Sequence, residues 1–263
     1  MENLITSTQN PKIKYAVKLR ENKERHKSGL IIIEGFRELS LALESNVKID
    51  TLFYCSQFAS EANIFPPSVD KNIIIKTSEK IFKKIAYREH PDGFLAIAHT
   101  PFCSLKNIKL SPRPIVIIIE AIEKPGNLGA ILRSADAAGA DAVIMADPKT
   151  DIYNPNVIRA SQGTVFTNQI TTAYPEEIKT WLQKNKIISF AATPSAKKIY
   201  TTADYKKPCA ILVGTEDTGL SDFWLENATE KIKIKMRGKI DSLNVSVSTA
   251  IILFEAIRQR NID

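Results

Sequence analysis

Residues 114–146 read PIVIIIEAIEKPGNLGAILRSADAAGADAVIMA and alternate between two kinds of pattern. PIVIIIE (114–120) and DAVIMA (141–146) are short apolar runs, as expected of strands that are covered on both faces. NLGAILRSADAAGA (127–140) between them consists largely of helix-forming residues and has a glycine near its end. A strand, a helix and a second strand in this order predict a parallel sheet with loops at the strand ends.

The same alternation continues toward the carboxyl terminus. Apolar runs predict strands, helical spacing predicts two further helices, and a third helix is possible between residues 156 and 166. The strands are KIISFAAT (186–193), PCAILVGTE (208–216) and EKIKIKM (230–236), and the helices are PEEIKTWLQKN (175–185) and residues 243–260. This half of the chain is therefore predicted to be α/β with a mostly parallel sheet.

The first hundred residues form a separate α/β pattern. Residues 12–27 have the spacing of one basic amphipathic helix, and further strands and helices follow. The predicted strands are 30–35, 49–55, 71–77 and 91–100, and the predicted helices are 36–45 and 78–87. FCSLKNIKLSPRP (102–114) has two prolines near its end and is the natural linker. We therefore expect two domains, residues 1–106 and 107–263.

Composition excludes several classes of protein. The 263 residues are 44% apolar, and no uninterrupted apolar stretch approaches the roughly 18–20 residues of a membrane helix. The amino terminus lacks the layout of a secretory signal, so we expect a cytoplasmic protein without membrane contact. Three scattered cysteines and three scattered histidines predict no disulfide framework, no metal site and no histidine-dependent nucleophile.

Charge is concentrated near the amino terminus. The net charge is +7, and seven of the first 28 residues are basic against three acidic ones. A cationic face suits a polyanion, because neutralising phosphates releases counterions. A solvated helix face is an equal alternative on charge alone.

Three loops after predicted strands are rich in small and polar residues. The first carries Asn127 and Arg133, the second places Glu216 between two glycines, and the third leads through Ser242 and Asn244 into the last helix. Each alone is compatible with an ordinary turn or helix cap. Neither the GxGxxG fingerprint nor a P-loop is present, which disfavours a nicotinamide-dependent oxidoreductase.

In this order and spacing the loops resemble the motifs of the SpoU (TrmH-type) RNA ribose 2′-O-methyltransferases of the SPOUT superfamily. The matching segments are NLGAILRSADAAG (127–139), LVGTEDTGLS (212–221) and IKMRGKIDSLNVSVSTA (234–250), together with NPNVIRASQGTVF (154–166). Residues 6–39 resemble the family's substrate-binding domain, a small α/β fold akin to certain ribosomal proteins. The resemblance covers nearly the whole chain.

The resemblance implies a parallel sheet with a deep trefoil knot, a homodimer with the active site near its interface, and S-adenosylmethionine as methyl donor. By position, the main chain around five residues would contact this cofactor: Thr193, Gly214, Ile234, Met236 and Leu243. The implied catalytic residues are Asn127, Arg133, Glu216, Ser242 and Asn244. An arginine is a poor base, so we expect Arg133 to hold a phosphate and stabilise the developing alkoxide, with the others orienting Arg133 and the ribose.

The resemblance also favours an RNA-binding role for the basic first domain. The residues expected to contact phosphates are Lys12, Lys14, Arg20, Arg37 and Arg88. Ribosomal RNA is the expected substrate, because the first domain resembles ribosomal-protein folds, and transfer RNA is the alternative. An RNA-binding assembly factor without methyltransferase activity is a further alternative, although all five implied catalytic residues are present. The modified nucleotide does not follow from the sequence.

Overall fold

The computed structural model describes residues 4–60, 69–215 and 217–260. Contacts divide the chain into two units, Met1–Pro101 with Asp151–Thr167, and Phe102–Thr150 with Asn168–Asp263. The expected boundary after residue 106 stays a prediction. Residues 151–167, which lie within the expected second domain, pack with the first unit. No helix among the described residues is long and apolar enough to cross a bilayer.

The first unit is built on a five-stranded mixed sheet. Its elements in chain order are β1 (Leu4–Ile5), α1 (Pro11–Lys18), α2 (Asn22–Ser28), β2 (Leu30–Glu34), α3 (Phe36–Glu44), β3 (Ile49–Tyr54), β4 (Ile74–Thr77), α4 (Glu79–Ile85) and β5 (Phe94–His99). The strand order is β1-β4-β3-β5-β2. Strands β1, β4 and β3 are parallel, whereas β5 runs antiparallel to both β3 and β2.

One apolar cluster joins α1 and α4 to this sheet. Ile13 from α1 and Phe82 from α4 are buried against Ile32, Phe53 and other strand residues. Because strand side chains alternate between faces, the neighbours of Ile32 in β2 point to the opposite face, where α3 packs. Burial on both faces explains why β2 is a continuous apolar run up to its final residue.

The predicted single helix over residues 12–27 is wrong, because α1 ends at Lys18 and α2 begins at Asn22. The buried stripe of α1 continues to Leu19 but has no apolar successor in α2. The residue that α2 buries is Arg25. A continuous helix would turn charged residues toward an apolar sheet, so the chain changes direction instead.

Arg25 is held by a complete set of partners in the first unit. Its Nε and Nη2 lie 2.8 and 2.7 Å from Asp151 Oδ2, and Nη1 donates to the carbonyls of Leu19 and Arg20. Both side chains of the ion pair are nearly inaccessible, at 4% and 12% exposure. This pair anchors the segment 151–167, which contains α6 (Pro155–Ala160), to the first unit.

The second unit is built on a seven-stranded parallel sheet. Its remaining elements in chain order are β6 (Ile115–Glu120), α5 (Pro125–Ala138), β7 (Ala142–Ala146), β8 (Ile170–Ala173), α7 (Pro175–Lys184), β9 (Ile188–Ala192), β10 (Lys198–Ile199), β11 (Cys209–Val213), α8 (Asp222–Asn227), β12 (Glu230–Lys233) and α9 (Val245–Arg260). The strand order is β10-β12-β9-β11-β6-β7-β8. Every residue of β6, an interior strand of the sheet, is buried. The expected α/β class with a parallel sheet is confirmed.

Helices cover both faces of this sheet. Ile178 of α7 and Trp224 of α8 pack on one face with Val116 and Ile118. On the other face α5 and α9 pack against each other and against strands β7 and β11. Burial on both sides accounts for the β-branched run of β6 and is the arrangement expected of parallel strands.

Several short elements lie outside the sequence-based prediction. Strands β1, β8 and β10 and helix α8 have between two and six residues, too few for a periodic signal. The predicted strand 71–77 begins instead as a 3₁₀ turn over Lys71–Ile73 and becomes extended at Ile74. These elements owe their conformation to neighbouring strands or helices in the fold.

Replacing Asp151 tests the buried ion pair. We expect Asp151→Ala to lower the free energy of unfolding by about 3–5 kcal/mol, because the Arg25 guanidinium loses its buried counterion. Urea unfolding measures the change. The double variant Arg25→Met with Asp151→Ala should lose less than the two single variants together. A loss under about 1 kcal/mol in the single variant, as for an exposed pair, would contradict this role.

Candidate active site

Three loops of the second unit leave the carboxyl ends of β6, β11 and β12. Strand β11 pairs with β6 on one side and with β9 on the other, and β9 also pairs with β12. Because the strands are parallel, their carboxyl ends lie at one edge of the sheet, where ligands bind in open α/β folds. The loops singled out from the sequence therefore meet at a single place.

The loop after β11 turns back on itself immediately beyond Gly214. Thr215 and Gly219 exchange backbone hydrogen bonds of 3.2 and 3.0 Å, and Gly219 has a φ of +70°. A Cβ at Gly214 would lie 2.1 Å from the carbonyl group of Gly219. No side chain fits there, so glycine is required at position 214 for the turn to close.

A buried carboxylate anchors the far end of this loop. Glu120, the last residue of β6, accepts hydrogen bonds from both the backbone N–H and the Oγ of Ser221, each 2.7 Å long. Glu120 is 6% exposed. Ser221 directly precedes α8, but its hydroxyl donates to Glu120 and does not cap that helix. The sequence analysis missed Glu120, whose one signal is an acid at the end of an apolar strand.

A cavity of about 330 Å³, here called the larger cavity, opens at this edge. It brings together all five residues expected to contact a cofactor and one of the expected catalytic residues. Its lining includes Thr193, Gly214, Ile234, Met236, Ser242 and Leu243. These residues come from three separate segments of the chain. Their contact with a ligand stays a prediction.

Much of the larger cavity is walled by irregular backbone. Residues 234–244 between β12 and α9 have no regular secondary structure. Within the described part of the chain, residues 234–243 make no backbone–backbone hydrogen bond. Backbone N–H and C=O groups in such a segment can therefore pair with a polar ligand, while Ile234 and Met236 supply apolar surface.

A smaller cavity of about 270 Å³ adjoins the larger one and shares Gly214, Thr215 and Val245 with it. Asn127, in the first turn of α5, lines the smaller cavity. Its Oδ1 accepts a 3.1 Å hydrogen bond from Asn244 Nδ2. The structure thus joins the first and third motifs directly, although 117 residues separate them.

Asn244 also begins helix α9. Its Oδ1 accepts from the backbone N–H of Ser246 at 3.0 Å and from the Ser246 hydroxyl at 2.6 Å. These bonds satisfy a helix-terminal N–H that would otherwise lack a partner. The amide of Asn244 therefore acts on two elements, capping α9 and contacting α5.

Two expected catalytic residues are not part of this cluster. Arg133 lies on α5, is exposed, and lines neither cavity. Within the described residues its side chain makes no hydrogen bond or ion pair. Glu216 lies outside the described residues. The catalytic roles of both stay predictions.

The five expected RNA contacts fall into two groups. Lys12, Lys14 and Arg37 are exposed. Arg20 Nη2 donates to the carbonyls of residues 84–86 at the end of α4, with distances from 2.7 to 3.1 Å. Arg88 Nη2 donates to Glu38 Oε1 and to the Glu34 carbonyl. The last two guanidinium groups therefore have structural partners, and the first three residues are the freer candidates.

Burial raises the pKa of Glu34, in spite of hydrogen bonds from the backbone N–H groups of Tyr87 and Arg88 that oppose the shift. Through these two hydrogen bonds the carboxylate of Glu34 holds the backbone segment that carries Arg88. The contacts around Arg88 are thus part of the first unit's internal structure.

The second unit has an α/β fold with a cavity at the carboxyl edge of its parallel sheet. The sequence model of the SpoU rRNA Methylase family matches residues 114–254. The model of the MRM3-like substrate binding domain matches residues 10–96. The first match covers more than half of the chain, and this chain belongs to the SpoU rRNA methylase family.

Relatives resemble the chain over almost its full length. It is 29% identical to the 23S rRNA (guanosine(2553)-2′-O)-methyltransferase RlmP of Bacillus subtilis, covering 95% of this chain and 97% of that protein. A crystal structure of an RNA 2′-O ribose methyltransferase has 38% identity to this chain and a TM-score of 0.85, and the match covers 98% of this chain and 99% of that one. The AdoMet-bound rRNA methyltransferase of Sinorhizobium meliloti has 30% identity and a TM-score of 0.87, covering 97% of each chain.

The glycine turn provides a test of the site's architecture. Gly214→Ala should lower the free energy of unfolding by roughly 2 kcal/mol or more, because the new methyl group meets the Gly219 carbonyl. Gly126→Ala is the matched control, since a Cβ there has no atom within 4 Å. Chemical denaturation of both variants decides the matter. Equal stability of the two would show that the turn relaxes freely.

Proposed function

We propose that this protein transfers a methyl group from S-adenosylmethionine to a ribose 2′-hydroxyl of ribosomal RNA. One observation carries the proposal: the five expected cofactor positions and Ser242 surround one cavity, beside the Asn127–Asn244 contact. Membership of the SpoU rRNA methylase family and the rRNA 2′-O-methyltransferases among the relatives support it.

The larger cavity fits the proposed donor. S-adenosylmethionine, when bound, supplies a methyl group already activated on a sulfonium. Its adenine ring and amino-acid part need apolar surface together with polar groups, and the cavity offers both through Ile234, Met236 and the unpaired backbone of residues 234–243. The volume lies at the lower end of the range for small-molecule sites.

The polar residues at the cavity mouth position the acceptor. Asn127 and Asn244 are joined by a hydrogen bond, which fixes the orientation of both amide groups. Ser242, exposed at the rim, donates to Asp241 and can accept from a ribose hydroxyl. Glu216 belongs to the same proposed set. Holding the 2′-hydroxyl in line with the methyl group supplies much of the rate enhancement.

Arg133 is proposed to hold an RNA phosphate. Its guanidinium group stays protonated, so it acts as a donor and a charge instead of as a base. Its exposure and lack of partners among the described residues leave the planar fork available for bidentate contact. A phosphate beside the reacting ribose brings that positive charge close to the developing alkoxide.

The first unit is proposed to bind the RNA substrate, with Lys12, Lys14 and Arg37 as phosphate contacts. The match to the MRM3-like substrate binding domain supports this role. Arg20 and Arg88 would contribute by holding the unit's structure, in view of their internal hydrogen bonds. An rRNA substrate also supports the expected cytoplasmic location.

A homodimer is proposed through α9. Val247, Ile251 and Phe254 recur at helical spacing, and Val247 and Phe254 are 45% and 48% exposed. The opposite face of α9 is already buried in the second unit through residues such as Ile252 and Leu253. A second apolar face suits an interface between copies.

The deep trefoil knot is also part of the proposal. Strand β11 lies between β6 and β9, although it follows β9 in the chain. The chain therefore returns to the middle of its sheet before it continues to β12 and α9. This strand order supports a knot around the second and third motifs.

Transfer of labelled methyl groups tests the reaction. Purified protein is incubated with labelled S-adenosylmethionine and separate ribosomal and transfer RNA fractions, followed by nucleoside analysis. We expect a 2′-O-methylated nucleoside from ribosomal RNA. Label in transfer RNA alone would overturn the choice of substrate, and absence of donor binding would overturn the enzymatic proposal in favour of RNA binding without methyl transfer.

Two substitutions of Arg133 distinguish the contribution of its positive charge from that of its planar guanidinium group. Both Arg133→Ala and Arg133→Lys should lower single-turnover methyl transfer at least tenfold while leaving donor affinity unchanged, since a lysine cannot form the two-pronged contact. Arg113→Ala removes another exposed arginine and should transfer at the normal rate. Near-normal transfer by Arg133→Lys would remove any special role of the guanidinium group.

Phe254→Asp should convert the protein to monomers, because it places a charge in the apolar stripe of α9. Analytical ultracentrifugation reports the change. Phe102→Asp is the matched control, as Phe102 is 84% exposed and lies outside that stripe. If both variants sediment like the unmodified dimer, α9 is not the interface.

A further inference from the structure

Residues 231–239, KIKIKMRGK, alternate between cationic and apolar side chains as far as Arg237. The segment comprises the end of β12 and the loop that walls the larger cavity. Ile232 is buried, and Ile234 and Met236 line the cavity. Lys231, Lys235 and Arg237 are exposed. We call these three residues with Lys233 and Lys239 the basic strip.

Extended backbone explains the separation. Successive side chains of a strand point to opposite sides, so the apolar set and the cationic set of β12 face apart. Cations two residues apart are then roughly 6.5 Å apart along the strand. The alternation continues beyond β12, as the exposure of Lys235 and Arg237 shows. The segment that forms one wall of the larger cavity thus carries a row of positive charge, in which Lys233 lines the cavity and the other four cations are exposed and do not line it.

The basic strip is not neutralised within the protein. Among the described residues, none of its five cations makes an ion pair or a side-chain hydrogen bond. The neighbouring Glu230 is paired with Lys198 at 2.5 Å, and Asp241 accepts from Ser242. Lys197 on the adjacent edge is also exposed and adds to the positive charge. A row of unpaired cations is a surface suited to a polyanion.

We propose that the basic strip binds the phosphates of single-stranded RNA next to the nucleotide that is methylated. This inference rests on the proposed function. It adds a second RNA-contacting surface, in the catalytic unit itself, to the one expected in the first unit.

Chemistry favours RNA backbone over other polyanions at this place. A ribose that presents its 2′-hydroxyl to a methyl donor lies between two phosphates, which must pass close to the donor's cavity. The basic strip and that cavity share one segment of backbone, so the spacing between the charges and the reacting site is short and fixed. A charged row beside a site is how single strands are held without sequence preference.

The test uses the triple variant Lys231→Gln, Lys235→Gln and Arg237→Gln in the full chain. Lys233 is left unchanged because it also lines the larger cavity. The matched control is Lys106→Gln, Lys109→Gln and Lys184→Gln, which removes the same charge from exposed positions of the same unit. Binding of a fluorescein-labelled 20-nucleotide oligouridylate is measured by anisotropy between 50 and 300 mM KCl. Thermal unfolding checks that both variants are folded.

We expect the strip variant to bind the oligonucleotide roughly 10- to 100-fold more weakly than the control at 100 mM KCl. The slope of log K against log salt concentration, which is negative, should become less steep by about 2, since each phosphate contact on a single strand contributes about 0.7 to its magnitude. Affinity for S-adenosylmethionine, measured by calorimetry without RNA, should not change.

The two proposals fail in different ways. If the strip variant and the control have the same affinity for the oligonucleotide and the same salt dependence, the proposed RNA contact of the basic strip is overturned. This conclusion does not depend on whether the protein binds S-adenosylmethionine. If the protein binds the oligonucleotide through the basic strip but does not bind S-adenosylmethionine, the proposed RNA contact is supported and the proposed methyl transfer is overturned. A loss of donor affinity in the strip variant would show that these cations belong to the cofactor's site, which also overturns the inference.

Discussion

Backbone pairing of β6 with its two parallel neighbours is the interaction on which the second unit depends. Ile115 pairs in register with Cys209 of β11, and Val116 pairs with Ala142 of β7. This pairing needs apolar cover on both faces, which α7 and α8 supply on one side and α5 and α9 on the other. Together with the parallel pairing of β9 to β11 and β12, it also places three loops at one edge. The candidate site is a consequence of this alignment.

The site itself depends on backbone more than on side chains. Gly214 admits no Cβ because the following turn closes on it, and Glu120 holds the end of that turn through Ser221. Residues 234–243 after β12 make no backbone–backbone hydrogen bond within the described part of the chain, and several of them line the larger cavity.

The arginines and lysines of the chain serve different purposes. The guanidinium groups of three arginines donate hydrogen bonds to carbonyls and carboxylates inside the first unit; these are Arg20, Arg25 and Arg88. The lysines of α1 and three lysines of the basic strip, Lys231, Lys235 and Lys239, are exposed, where a strongly hydrated ammonium group is most stable. Net charge alone would have counted all of them as RNA contacts. Arg37, Arg133 and Arg237 are exposed and make no side-chain hydrogen bond or ion pair among the described residues.

The sequence by itself determined the α/β class, the principal strands and helices, and the three motif loops, because apolar periodicity and small polar loops are local properties. Through resemblance it also selected five expected cofactor contacts, and all five residues line one cavity. Only the tertiary structure decided the break between α1 and α2, the short elements β1, β8, β10 and α8, and the assignment of residues 151–167 to the first unit. Those features depend on neighbours distant in the chain, such as the burial of Arg25 against Asp151. The contact between Asn127 and Asn244 has the same origin, since only the folded sheet brings their loops to one edge.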